Sequence, residues 1–367
     1  MNATRLSAGP ARAISAMLWP FSAKTSSPMP ATTISLSDTL AFGPGLDVAA
    51  HSRASVSLLQ QPENQDNFVL IDASGRAVFM QDQQQRSVQL DDWPRGHVRV
   101  AVLDGMGGHG QGRQAAEAVA AGLLLIPACA TLTELGERLD ALHSELQMHF
   151  QHPGDNDDFR RPGTTLTLLE IPPGQAPLLY HVGDSRLYEI SASEVAPLTI
   201  DHVPATSFAL HGLLGAQEWW QQVHGEHRAQ ISQAFILGNA FANPQVLAND
   251  LLALDADHLP PFLHQMVDRR ALTVRHDAVY LLATDGFWAC PRPQNWIACW
   301  PALLGHADRP AADILAALFD EFSAHPPAEL HVDNLTAIVL RFPQPGPQQN
   351  DNVDETALPN PRSTPYL

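Results

Sequence analysis

The stretch VRVAVLDGMGG, residues 98–108, decides how this chain folds and where its chemistry lies. Its first six residues are apolar apart from one arginine, which is typical of a buried β-strand. The strand ends on the carboxylate of Asp104, and three of the next four residues are glycines. Because glycine has no Cβ, a ligand can approach such a turn closely. The turn therefore suits a metal ion and a phosphate, although Asp-Gly is also a common turn pair.

The pattern on either side of this strand predicts an α+β domain. The predicted strands are residues 68–72, 98–104, 164–171, 178–182, 186–190, 279–283 and 335–342. The predicted helices are residues 112–126, 131–150 and 311–323, and residues 76–96 fit a hairpin loop. A strand, two helices, several strands and a late helix predict layers built on mainly antiparallel sheets.

The composition excludes several classes of function. The 367 residues include 21 Lys and Arg against 39 Asp and Glu, a net charge of −18. This excess argues against a nucleic-acid or anionic-membrane partner. No run approaches the ~18 apolar residues of a membrane span. The three cysteines are odd in number and lack metal-binding spacing, which indicates reduced thiols and a cytoplasmic protein.

Three segments are expected along the chain. Residues 1–44 form a leader without an acidic residue before Asp38, which is expected to be disordered, with a signal or transit peptide as the alternative. Residues 45–343 form one domain, within which residues 201–275 are irregular and rich in histidine. Residues 344–367 form a Pro- and Gln-rich tail that is also expected to be disordered.

Five acidic residues share one setting, the junction between a buried strand and a turn. They are Asp66, Asp104, Asp184, Asp285 and Asp333. Taken singly, each is read as a turn or cap residue. Buried unpaired carboxylates are costly, however, so several that converge on one sheet edge need cations. Ligation by oxygen alone selects Mg²⁺ or Mn²⁺ over Zn²⁺.

Six short motifs occur in a fixed order through residues 45–343. They are Gln65-Asp66-Asn67, Asp104-Gly105-Met106-Gly107-Gly108-His109, Gly163-Thr164-Thr165, Gly183-Asp184-Ser185-Arg186, Thr284-Asp285-Gly286 and Asp333-Asn334. Together they resemble the metal-dependent protein phosphatase family (PPM, type 2C), in particular its bacterial branch. The resemblance implies a β-sandwich of two mainly antiparallel sheets flanked by pairs of helices, and a flap-like variable segment at residues 201–275.

The resemblance also implies a role for each carboxylate. Asp104 would bridge two metal ions, and the carbonyl of Gly105 would bind the second. Asp285 and Asp333 would bind the first ion, so that Asp104, Asp285 and Asp333 are the implied catalytic residues. Asp66 would reach the second ion, directly or through water.

A third ion is implied by the bacterial members, held by Asp184 together with Asp285. The implied cofactor is therefore Mn²⁺ or Mg²⁺, as two ions and possibly a third. The implied activity is hydrolysis of phosphoserine and phosphothreonine by a hydroxide that bridges the two ions. The implied partner is a phosphorylated protein that is the substrate of a cognate Ser/Thr kinase.

The sequence departs from the family pattern at three places. Gln65 replaces a glutamate, which we expect to weaken binding of the second ion. The family's phosphate-binding arginine is missing, since no arginine lies between Arg53 and Arg76, and Arg53 is the alternative. Met106 stands where eukaryotic relatives have a histidine that is a candidate acid, leaving His109 or metal-bound water for that role.

These departures keep two other functions open. One is a pseudophosphatase that binds phosphoproteins or acts as a regulatory module, and the other is a hydrolase of small phosphate esters. Arg186 is expected to form a salt bridge with a neighbouring carboxylate. Trp219 and Trp220 are expected to pack within residues 201–275 rather than to form a docking surface. The histidines of that segment give a weaker hypothesis of pH sensing.

Overall fold

The computed structural model describes residues 40–54, 63–107, 111–151 and 161–344. The strands are β1 (Asp47–Arg53), β2 (Asp66–Ile71), β3 (Arg76–Gln81), β4 (Gln84–Gln89), β5 (Val98–Met106), β6 (Gly163–Thr164), β7 (Leu166–Ile171), β8 (Leu178–Val182), β9 (Arg186–Ile190), β10 (Val195–Pro197), β11 (Gln233–Ala234), β12 (Gly238–Asn239), β13 (Arg269–Ala271), β14 (Val279–Ala283) and β15 (Leu335–Arg341). The helices are α1 (Gly112–Leu125), α2 (Leu132–Phe150), α3 (Pro204–Leu210), α4 (Ala216–Trp220), α5 (Pro293–Ile297), α6 (Trp300–Leu304) and α7 (Ala311–Ala324).

The strands form two large antiparallel sheets. The first sheet has the order β13-β8-β7-β5-β2-β3-β4, with β6 paired to β5, and the second has the order β1-β15-β14-β9-β10. Strand β5 lies inside the first sheet and its apolar residues are buried on both faces. Such a strand needs a covering layer on each side, which explains its near-continuous apolar sequence.

Three layers of apolar side chains hold the sheets and helices together. Between the sheets, a core includes Phe68, Val100 and Ile338. Helices α1 and α2 cover the outer face of the first sheet. Helices α5, α6 and α7 cover the outer face of the second. The predicted β-sandwich of antiparallel sheets flanked by helices is thus confirmed.

Most predicted elements are present, with differences at their ends. The segment predicted as a hairpin loop forms strands β3 and β4, and Thr131 caps α2 by accepting from the Glu134 amide. Strand β1 and helices α5 and α6 were not predicted, because β1 (DVAAHSR) has few apolar residues and each of the two helices has only five residues. None of the helices within the described ranges is long and apolar enough to cross a membrane.

Residues 201–275, called the flap below, have a small apolar core of their own. It consists of Ile200 and the flap residues Ala205, Ala209, Trp219, Val223, Phe241, Leu254, Leu259 and Leu263. Trp219 is buried in it, as predicted, whereas Trp220 is half exposed and its ring lies 4.2 Å from that of His224. Most of the predicted leader, and all of the predicted tail except residue 344, lie outside the described residues, so the domain boundaries stay predictions.

Candidate metal centre

Two of the predicted carboxylates are neighbours on adjacent strands of the first sheet. Strands β2 and β5 are antiparallel, and their register places Asp66 directly opposite Asp104. Cross-strand partners project from the same face with their Cβ atoms about 5 Å apart. The pairing of the strands thus brings together two like charges from motifs nearly forty positions apart.

The second sheet contributes two further carboxylates. Asp285 follows the end of β14 and Asp333 precedes the start of β15, and these strands pair antiparallel, so that both residues lie at one end of the sheet. Thr284 links this end to the first sheet, because its Oγ1 donates to Asp66 Oδ2 at 2.8 Å. Asn334 makes a second link by accepting from the Gln65 amide at 2.9 Å.

Asp184 is linked to Asp104 by hydrogen bonds through two hydroxyl groups. Thr165 Oγ1 accepts from the Asp104 amide at 2.9 Å and shares a hydrogen bond of 2.7 Å with Ser185 Oγ, next to Asp184. The Gly183-Asp184 turn is thereby fixed beside the end of β5. The structure thus brings all five predicted aspartates to one end of the sandwich.

The electrostatics of the cluster show an excess of negative charge. Burial and the neighbouring Asp333 and Asp285 raise the pKa of Asp66 to about 8, against the hydrogen bonds of its threonine neighbours. Burial and the other carboxylates raise the pKa of Asp104 and of Asp184 well above the ordinary value. At the exposed rim, partial desolvation and Asp285 raise the pKa of Asp333 to about 6.

The glycine turn has the close backbone contacts expected from its sequence. The Gly105 amide donates to the Gln65 carbonyl at 3.1 Å. A Cβ at Gly105 would lie 2.6 Å from that carbonyl oxygen and would collide with the carbonyl of Gly112. Gly107 has a φ of +108°, which favours glycine. Gly108 and His109 lie outside the described residues.

The donors of this cluster fit a hard divalent cation, since they are all oxygens and their negative charge is poorly compensated. Within the described ranges, no three His, Cys, Asp or Glu side chains already enclose a point that could hold an ion. Asp66 is turned toward Thr284, and Asp285 toward a histidine of the flap. Cation binding therefore requires some of these carboxylates to turn.

Two arginines considered from the sequence have structural roles. Arg53 points to the outer helix layer, where it donates to Ser323 Oγ at 2.9 Å and lies over the ring of Phe319. It therefore does not replace the missing phosphate-binding arginine. Arg186 binds both carboxylate oxygens of Asp201, with its shortest contact at 2.7 Å, so the predicted salt bridge is confirmed.

One residue at the cluster was not predicted as part of it. His227, from the flap, donates from Nε2 to Asp285 Oδ2 at 3.0 Å. The sequence singled out His227 only as one of several flap histidines. Its separation of 58 residues from Asp285 and the irregular chain around it gave no signal of the contact.

The chain is similar in sequence to bacterial protein phosphatases. No protein-family model matches the chain. A protein phosphatase PhpP of Streptococcus pneumoniae serotype 2 is 31% identical over 170 residues, which span 45% of this chain and 68% of that protein. A putative protein phosphatase 2C-type of Streptococcus pyogenes serotype M6 is 29% identical over 130 residues, spanning 35% of this chain and 52% of that protein.

Solved structures of bacterial phosphatases are also similar. The PPM Ser-Thr phosphatase MsPP of Mycobacterium smegmatis, in complex with cacodylate, is 20% identical, with a TM-score of 0.48 over 80% of this chain and 97% of that chain. The catalytic domain of the phosphatase PstP, in complex with two manganese ions, is 20% identical, with a TM-score of 0.48 over 81% of this chain and 97% of that chain.

A sandwich of two antiparallel sheets with five carboxylates gathered at one end is the arrangement that the resemblance to metal-dependent phosphatases implied. The identity to PhpP over two thirds of its length makes the assignment specific: the chain belongs to the PPM, or type 2C, protein phosphatase family. Membership in this family supports phosphatase activity and not the pseudophosphatase alternative.

Proposed function

We propose that this protein is a metal-dependent phosphatase that hydrolyses phosphoserine and phosphothreonine in protein substrates. The observation that carries the proposal is the cluster of five aspartates, in which burial and mutual repulsion raise the pKa of four. Mn²⁺ or Mg²⁺ would relieve that repulsion. The groups that would hold two ions, with a third as a further possibility, are Asp66, Asp104, Gly105, Asp184, Asp285 and Asp333.

Bound cations would lower the pKa of a shared water and offset the charge of the phosphoryl group. The chain itself fixes the ligands. Thr165 holds the backbone of Asp104, and Thr284 holds the carboxylate of Asp66. The glycine after Asp104 lets the backbone of this turn pack closely, because a Cβ at Gly105 would collide with the carbonyls of Gln65 and Gly112.

The partner and the location are also proposals. The partner is a phosphorylated protein, which we expect to be the substrate of a cognate Ser/Thr kinase. We propose the cytoplasm as the location, because all three cysteines are free thiols, as expected in a reducing compartment.

The test is hydrolysis of a phosphothreonine peptide by the full chain, with Mn²⁺ or with EDTA, beside the variant Asp104→Asn. We expect turnover that depends on the metal and that falls more than ~100-fold in the variant, because even groups that only orient a metal ligand cost ~10–100-fold. Equal turnover by the variant, or turnover in EDTA, would refute the proposal. A strong preference for p-nitrophenyl phosphate over the peptide would instead indicate a hydrolase of small esters.

A further inference from the structure

The contact between His227 and Asp285 joins the flap to the candidate metal centre. Both side chains are almost buried, with 8% of His227 and 11% of Asp285 exposed. Because a carboxylate only accepts, the Nε2 atom of His227 carries the proton in their hydrogen bond of 3.0 Å. The Nδ1 atom of this ring is buried and has no partner among the described residues. The hydrogen bonding of His227 is therefore directed to Asp285.

Asp285 also differs from Asp66 in what holds its carboxylate. Asp66 accepts from Thr284, at the end of strand β14, at 2.8 Å. The donor to Asp285 instead comes from the flap, 58 residues away along the chain. The orientation of the Asp285 carboxylate therefore depends on the position of the flap.

The backbone segment that precedes His227 is held by a hydrogen bond from Arg186, close to Asp184. A single π-helical turn, Gln221–Gly225, precedes His227 and is an element often found at functional sites. Arg186 Nη2 donates to the Val223 carbonyl in this turn at 2.7 Å. The π-helical turn two residues before His227 is thus held beside Asp184, so the position of this part of the flap and the orientation of Asp285 are linked.

We propose that His227 is a positioning residue that holds the Asp285 carboxylate for cation binding and thereby couples the flap to the metal centre. The inference rests on the proposed function, since it requires Asp285 to be a metal ligand. Metal ligands are commonly oriented by hydrogen bonds from neighbouring groups, and loss of such a partner costs ~10–100-fold in metal affinity or activity.

Two variants separate the hydrogen bond from the packing of the ring. His227→Phe keeps an aromatic ring but has no N–H, whereas His227→Gln keeps an N–H near the position of Nε2. His258→Ala is the matched control, because it removes a histidine from a 2.8 Å contact with Asp255 in an exposed part of the same flap.

Calorimetric titration with Mn²⁺ should give a ~10–100-fold weaker affinity for His227→Phe, recovery of most of it in His227→Gln and wild-type affinity in His258→Ala. Hydrogen exchange in residues 221–228 should increase in His227→Phe. Wild-type Mn²⁺ affinity in His227→Phe, even with a loosened flap, would overturn the inference. If the wild type itself binds no Mn²⁺, the proposed function fails instead.

A measurement on the wild-type protein does not depend on whether a variant folds. The His227 Nε2 proton is observed by NMR, assigned by its loss in His227→Gln, and followed during titration with diamagnetic Mg²⁺. We expect the signal to persist and shift at saturation, because His227 stays on Asp285 when the cation binds. Disappearance of the signal would mean that the cation displaces His227, which would overturn the proposal.

Discussion

Two clusters of buried carboxylates in this protein differ in how their negative charge is compensated. In the first, Glu170 accepts hydrogen bonds from Arg99 at 2.6 Å, from His97 at 2.8 Å and from the Cys129 amide at 2.8 Å. Burial would raise the pKa of Glu170, but the Arg99 charge and these hydrogen bonds lower it below the ordinary value. The remaining donors of Arg99 bind the carbonyls of Leu123, Ile126 and Pro127.

The aspartate cluster at the end of the sandwich lacks this compensation. Four of its carboxylates have raised pKa values, and Arg186, a cationic side chain beside them, is bound to Asp201. This difference in charge compensation indicates which cluster is structural. Glu170 and Arg99 satisfy each other within the fold, whereas the aspartates require charge from outside the chain.

The largest expected effect breaks the compensated cluster. In Arg99→Met, Glu170 keeps a buried charge without its main partner, so we expect a loss of about 3–5 kcal/mol in the free energy of unfolding. Urea denaturation measures it. The double variant with Glu170→Gln should recover part of the loss, because no buried charge remains. Phosphatase activity per folded molecule should be unchanged, and unaltered stability in Arg99→Met would contradict the structural assignment.

This comparison also shows what the sequence could and could not predict. The apolar run of β5 and the acid-turn junctions are local patterns, so the central strands and the five aspartates were predicted. Arg99 is the second residue of that apolar run, and its partner Glu170 is 71 residues away. Local patterns do not reveal such pairings, and the same holds for His227 and Asp285, whose contact depends on an irregular flap.

A smaller effect should appear when cations are added to the uncompensated cluster. Because Mn²⁺ binds the folded chain and not the unfolded one, a concentration of 100 times Kd should stabilise the protein by about 2.7 kcal/mol. Thermal unfolding with Mn²⁺ and with EDTA measures this difference. Asp104→Asn should show a much smaller increase, and Glu137→Gln, at an exposed position of helix α2, serves as the control. An equal increase in Asp104→Asn would remove Asp104 from the metal site.

The smallest effect concerns pH in the metal-free protein. The pKa of Asp66 rises from 3.8 to about 8 on folding, so the folded chain binds this proton more tightly than the unfolded chain between these values. The contribution of this proton to the free energy of unfolding is complete below about pH 4 and is lost as the pH rises through 8. The free energy of unfolding then falls by up to ~1.4 kcal/mol per pH unit.

The buried His181 and His224 have lowered pKa values and contribute with the opposite sign, but only below their ordinary pKa of 6.5. Denaturation in EDTA is therefore compared between pH 6.5 and 8, where the wild type should lose stability and Asp66→Asn should lose less. Saturating Mn²⁺ should abolish the loss in the wild type, because a bound cation stabilises the ionised carboxylate. A wild-type slope that Asp66→Asn leaves unchanged would show that Asp66 is not among the uncompensated charges.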